Sequence, residues 1–128
     1  MNYWLINHSW ESFRRTQEYC GFMKEAERDK INIEDKIVYF GNSLVLGLFE
    51  AINLPNNEFN GWEKKYPYQV KLKPILIAKG GLLAKPLESK ILMQKADGGS
   101  SNIVELTENE FNQIRQAIEN GKKELKFE

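Results

Sequence analysis

One histidine, His8, and one cysteine, Cys20, are the only residues of their kinds among 128, and they bound the reactive chemistry open to this chain. A thiol beside an imidazole is a nucleophile–base pair, but no third group in the sequence is placed to orient His8, so both are read as structural. One Cys and one His cannot build a zinc site. No glycine-rich phosphate loop opens a helix. Asp29 and Asp35 stand in charged stretches and read as solvated surface, not as an acid–base pair. What remains is the chemistry of recognition. Trp10, Phe22 and Trp62 offer aromatic faces, Asn7 and Asn102 offer amides, and Lys24, Arg28, Lys30, Lys64 and Lys65 offer positive charge.

Each of these has a plain alternative. Trp10 opens a helix and serves as a helix staple or as the wall of a pocket. Phe22 is core or pocket. Trp62 lies in a polar loop of Asn, Gly and Lys, where it is either a lid or a ring folded back onto the sheet. Asn7 makes an Asx turn or a ligand contact. Ser100, Ser101 and Asn102 form a solvated turn, or bind a phosphate or a base edge. The basic residues form a rim for a phosphate backbone or a solvated charged face.

The elements that must position these groups follow from pattern. Tyr3-Trp4-Leu5-Ile6 reads as a strand. Ser9 caps a helix running from Trp10 to about Glu18, which residues 20–23 break. Ile37-Val38-Tyr39-Phe40 is a strand, Gly41-Asn42-Ser43 a hairpin connection, and residues 44–52 a buried return strand. Residues 53–65 form the longest loop. Residues 66–77 begin in strict alternation, and Lys79-Gly80-Gly81 reads as a turn. Pro86 starts one helical turn ending near Lys90. Residues 97–102 are a loop, Ile103 to Leu106 a strand, and Thr107 with Glu110 a capping box. The last helix carries Phe111, Ile114 and Ile118 on one stripe and stops at Gly121. Residues 122–128 read as a frayed tail or the start of a linker. The class is therefore α+β: a small, curved, mainly antiparallel sheet with helices outside it.

Composition fits one ordinary domain over residues 1–128. Hydrophobic residues make up 41% and charged residues 28%, and 18 basic residues balance 18 acidic ones. With no net charge, an anionic partner must be held by a local patch. The lone cysteine suits a reducing compartment. Residues 1–11 lack a secretory pattern and no apolar run spans a membrane, so a soluble, cytoplasmic protein is expected. The abundance of Lys, Glu and Ile is of the kind seen in thermophile proteins.

Several stretches, in order, resemble the EVE domain, a PUA-like family related to YTH domains, and its small archaeal members in particular. They are Tyr3-Trp4-Leu5-Ile6-Asn7; Cys20-Gly21-Phe22-Met23-Lys24; Ile33-Glu34-Asp35-Lys36 with the strand after it; Val45-Leu46-Gly47-Leu48-Phe49-Glu50-Ala51; Tyr66-Pro67-Tyr68-Gln69-Val70-Lys71-Leu72-Lys73-Pro74; and Leu106-Thr107-Glu108-Asn109-Glu110-Phe111. The resemblance implies a small β-barrel with flanking helices and one surface pocket for a modified or flipped-out base. It implies a pocket built from Asn7, His8, Trp10, Cys20, Gly21, Phe22, Trp62 and Asn102, with Lys24, Arg28, Lys30, Lys64 and Lys65 as the phosphate rim. Many members carry a Trp where this chain has Cys20, which offers no stacking plane. Either Phe22, Trp10 or Trp62 supplies the ring, or the ligand differs, or binding is weak; a Trp at position 20 would restore the plane.

The function expected is a non-enzymatic module that binds DNA or RNA carrying a modified or unpaired base, without a cofactor. The resemblance extends this to the targeting part of a modification-dependent restriction system, with a fused or associated nuclease or NTPase. A small-molecule or nucleotide-acting enzyme using the same pocket, and a protein-interaction module, are the alternatives.

Overall fold

The computed structural model describes residues 1–128. Six strands and four helices follow in the order β1 (Tyr3–Asn7), α1 (Trp10–Arg15), β2 (Tyr19–Phe22), α2 (Glu25–Arg28), β3 (Lys36–Gly41), β4 (Leu44–Asn53), β5 (Tyr68–Leu83), α3 (Lys85–Ala96), β6 (Ile103–Leu106) and α4 (Glu108–Glu119). The strands form one sheet in the order β2-β5-β4-β3-β1-β6. The β1–β3 pair is parallel and every other pair is antiparallel. The sheet curls into a half-barrel without a ladder between β2 and β6.

Both faces of the central strands are buried, which explains their unbroken apolar runs. Leu5, Val38, Phe40 and Leu48 face α3 and α4 and pack with Leu87, Ile91, Phe111 and Ile114. Their neighbours Trp4, Ile6, Ile37, Tyr39 and Phe49 face the inside of the curl, with Phe13 of α1 plugging it. Asn42 and Ser43 turn the β3–β4 hairpin with φ of 55° and 66°, the two positive angles a tight hairpin of this twist requires.

Five readings from sequence need correction. Helix α1 stops at Arg15 and does not reach Glu18, because Thr16 is already extended and the Glu18 carbonyl accepts from the Leu72 N–H at 2.7 Å. Residues 20–22 are thus strand, not a break. Gly80 and Gly81 do not reverse the chain. With φ of 76° and 79° they let residues 78–81 bulge opposite Leu46 inside one long, bent β5. Helix α3 runs from Lys85 to Ala96, longer than one turn. Its buried stripe is only Leu87 and Ile91, while Leu92 and Met93 are exposed, so its periodicity is faint. Asp35 is not solvated. It is 2% exposed and its carboxylate accepts from the Asn2 and Asn32 N–H groups and the Trp4 indole, each at 2.9 Å.

The fifth concerns residues 122–128, which are docked rather than frayed. Leu83 donates to the Lys123 carbonyl at 3.0 Å, and Leu125 donates to the Leu83 carbonyl at 2.7 Å. Leu125 is 1% exposed, among Leu82, Leu87 and Ile114. Leu125→Ala is therefore expected to cost about 2–4 kcal/mol in urea denaturation, as a buried Leu truncation does. A cost below about 0.5 kcal/mol, the range of surface changes, would show the tail to be undocked.

Candidate functional site

The curl brings the free edge of β2 beside the end of β1 and the loop entering β6. Between them lies a cleft of about 290 Å³ lined by Asn7, His8 and Ser9, by Gly21, Phe22 and Met23, by Lys64 and Tyr66, and by Asn102. That volume is near the lower end for ligand pockets.

Gly21 sits where the fold admits no side chain. A Cβ there would stand 2.4 Å from the Tyr66 Cβ and 2.9 Å from the Trp62 ring. Its backbone is also turned toward the opening. Gln69 is its cross-strand partner, but the Gln69 N–H donates to Pro55 at 3.0 Å and the Gln69 carbonyl accepts from Arg28 at 3.1 Å. In the alternation of an antiparallel ladder, the Gly21 N–H and C=O then point away from β5, into the cleft.

The opposite wall carries two amides of fixed polarity. Asn7 Nδ2 donates to the Ser101 carbonyl at 3.0 Å, and Asn102 Nδ2 donates to Glu27 at 3.3 Å. Each amide turns its NH₂ to the protein and keeps its Oδ1 without a hydrogen-bond partner.

The floor is aromatic. The His8 ring lies 4.8 Å from Tyr66, 5.5 Å from Trp62 and 5.7 Å from Tyr39. Its Nδ1 accepts from the Ser9 N–H at 3.1 Å, so the neutral ring carries its proton on Nε2. Burial lowers its pKa to about 4, and His8 is uncharged at neutral pH. His8 Nε2, Tyr39 Oη and Trp62 Nε1 are buried without a protein partner. Burial also raises the Tyr66 phenol.

Gln69 holds the long loop that brings Tyr66 and Lys64 here. Its Oε1 accepts from the N–H groups of Glu58 (3.1 Å) and Phe59 (2.9 Å), and its Nε2 donates to the carbonyls of Phe59 (2.7 Å) and Tyr66 (2.9 Å). All four of its hydrogen-bonding positions are used.

The expected site residues divide. Asn7, His8, Gly21, Phe22, Asn102 and Lys64 line the cleft. Trp62 does not; it is buried behind the wall, edge-on to Phe59 at 4.7 Å and Tyr66 at 5.3 Å, so it is the ring folded back and not the lid. Trp10 is 45% exposed beneath the Arg14 guanidinium, away from the cleft. Cys20 is fully buried inside the curl, and burial raises its thiol pKa, leaving no thiolate to pair with His8. A Trp at position 20 would overpack the core and present no stacking plane. Arg28 is no phosphate contact. It is 7% exposed, and its guanidinium donates to the carbonyls of Leu54, Pro55 and Gln69 and to Asp29. Lys24, Lys30 and Lys65 are exposed outside the lining. Tyr66, Ser9 and Met23 were not singled out. The glycine two residues after Tyr19 was the available signal for Tyr66, since a residue without a side chain marks a close approach.

The architecture is that of a PUA-like, YTH-like half-barrel. Neither a protein-family model nor a curated protein sequence matches the chain. Solved structures do. The YTH domain of Mmi1 in complex with RNA is similar with a TM-score of 0.66 and 14% identity, over 93% of this chain and 78% of that one. Human THYN1 in complex with 5-methylcytosine-containing DNA matches with a TM-score of 0.56 and 14% identity, over 93% and 98%. The protein Atu2648 of Agrobacterium tumefaciens matches at 0.61 and 16%, over 96% and 95%. At such identity the likeness establishes the fold. No helix is long and apolar enough to cross a membrane.

His8 makes stability pH-dependent. Its folded pKa of about 4 lies below the unfolded value of 6.5, so the unfolded chain binds more protons between these values. The contribution is complete above pH 6.5 and is lost as pH falls toward 4. Between pH 7.5 and 4.5 the wild type is expected to lose about 2–3 kcal/mol more than His8→Phe. Equal losses in urea titrations of the two proteins would mean that His8 titrates normally.

Proposed function

We propose that this chain is a nucleic-acid-binding module that receives one unpaired or flipped-out base, in modified form, in the cleft between β2 and β1. The observation that carries the reading is the cleft's composition: an aromatic side chain at Tyr66, a bare backbone edge at Gly21, two amide oxygens at Asn7 and Asn102, and a lysine at the mouth. A base has a face to stack and an edge of donors and acceptors to read, and stacking on an aromatic ring contributes about 1–3 kcal/mol. Lys64 supplies charge for a phosphate while the molecule as a whole is neutral. The similarity in fold to Mmi1 bound to RNA and to THYN1 bound to methylated DNA supports the reading, as does the sequence resemblance to EVE domains. The module acts by binding and not by catalysis. Its side chains suit that role: Cys20 is buried, and His8, with its pKa lowered to about 4 and its Nδ1 occupied by the Ser9 N–H, is a weak base at neutral pH. Service as the targeting part of a restriction system, with a nuclease or NTPase as associate, rests on the resemblance alone.

The test is fluorescence anisotropy with single-stranded and duplex oligonucleotides, each with and without one methylated cytosine or adenine. Preference for a modified strand is expected, with affinity for both strands falling as salt rises. Tyr66→Ala should cost about 1–3 kcal/mol of affinity, and Lys64→Ala should lower the slope of log K against log salt by about 1. Equal binding of modified and unmodified strands, or none, would overturn the reading.

A further inference from the structure

Helix α2 is a single turn, yet it buries two adjacent charged side chains, Glu27 at 6% exposure and Arg28 at 7%. Arg28 is accounted for by its three carbonyls and Asp29. Glu27 has no Lys or Arg within ion-pair distance. Its carboxylate accepts from the Ser100 hydroxyl and from Asn102 Nδ2, 3.3 Å from each oxygen. Burying a carboxylate without a counter-ion is costly, and a neutral amide in the same place would avoid that cost.

What a carboxylate does that an amide cannot is accept only. Against Glu27, Asn102 can turn its NH₂ inward but never its carbonyl. Its Oδ1 is thereby left over, on a residue that lines the cleft. Asn7 shows the same polarity, since the Ser101 carbonyl also accepts only. The loop between them is pinned from the other side too, where Gln94 donates to the carbonyls of Ser100 and Ile103.

We propose that Glu27 is a specificity-determining residue of the cleft. By fixing the Asn102 amide, it leaves an acceptor, Asn102 Oδ1, at this wall and selects bases that carry an exocyclic amine over bases that present a carbonyl in its place. The inference rests on the base-binding reading above. The sharpest comparison is 5-methylcytosine against thymine, which share a ring and a methyl group. They differ at position 4, where one has an amine and the other an oxygen, and at N3. A carbonyl facing Asn102 Oδ1 sets two acceptors against each other and leaves both unpaired.

Two single-stranded oligonucleotides identical except for 5-methylcytosine or thymine at one position serve as probes in anisotropy titrations. The wild type is expected to prefer 5-methylcytosine roughly tenfold, as a good base-edge contact does. Glu27→Gln keeps the shape but can donate to Asn102, so the amide is free to flip and the preference should fall to near unity. Asn102→Ala, at an exposed position, should abolish the preference equally, and the double variant should lose nothing more. In ¹⁵N spectra the Asn102 side-chain pair should shift in Glu27→Gln while backbone resonances outside the α2 and residue 98–102 region hold. A folded Glu27→Gln that keeps the wild-type preference overturns the proposal. So does an unchanged preference in Asn102→Ala, which carries the test if Glu27→Gln does not fold. Wild type that binds both probes equally also overturns it. Wild type that binds neither refutes the base-binding reading itself, and the role of Glu27 falls with it.

Discussion

A sheet buried on both faces must end somewhere, and here the two ends meet. Strands β2 and β6 lie at opposite edges of the order β2-β5-β4-β3-β1-β6, yet Gly21 of β2 and Asn102, just before β6, line the same cleft. Only a strongly curled sheet does this, and the curl is built in by the four-residue excursion of β5 at residues 78–81 and the register shifts of β4 against β5. Had the ladder closed, the Gly21 amide and carbonyl would have been spent on a neighbouring strand. Because it stays open, a backbone edge with free hydrogen-bonding capacity faces a wall of side-chain amides. The site is thus the seam of the half-barrel, and its position follows from the unpaired edge.

An open seam is a liability unless the loops around it are held, because unpaired edges and loose loops move. Three buried polar side chains hold them. Arg28 gathers the carbonyls of Leu54, Pro55 and Gln69 at 2.9–3.1 Å. Gln69 then ties Glu58, Phe59 and Tyr66. Glu27 takes the other side, at Ser100 and Asn102. The one-turn helix α2 therefore reaches both rims through adjacent residues, which point to opposite sides of the opening. Fully satisfied networks of this kind rigidify a structure, and partly satisfied ones cost it stability.

Much of the frame was legible in the sequence because it rests on local rules. The strand at the chain start, the Asn42-Ser43 hairpin and the Thr107–Glu110 capping box are each set by a few neighbouring residues, and each stands in the structure. What sequence hid was set by distant partners. Asp35 reads as surface until Trp4, Asn2 and Asn32 converge on it. Arg28 reads as a phosphate contact until three carbonyls claim it. Cys20 and Phe22 read as a turn because β2 is only four residues long and its partner β5 lies nearly fifty residues on. Of the cleft, the polar half was readable from Asn7, His8 and Asn102 through the family resemblance. Of the aromatic half only Phe22 was readable: composition left Trp62 open between a lid and a ring folded back, and Tyr66 looked like one more strand residue.

The exchange of Trp62 for Tyr66 changes how the cleft can work. Trp62 offers no face to the cleft: it is buried behind it, in contact with Phe59, Tyr66 and His8. It instead backs Tyr66, ring to edge at 5.3 Å, and fills the space over Gly21 that any side chain would have claimed. Tyr66 is left half-buried at the cleft with its carbonyl fixed by Gln69, a ring held from behind and below. Under the base-binding proposal, a phenol so supported would give up little conformational freedom to a flat ligand, and that saving would raise affinity without any added contact. The Cys20 position, from which a stacking ring seemed to be missing, faces the opposite side of β2. Its smallness serves the core inside the curl, and the strand's alternation sends Tyr19 and Gly21 to the other face. The tyrosine ring that lines the cleft comes from the loop across the strand, where the absence of a side chain at Gly21 gives it room.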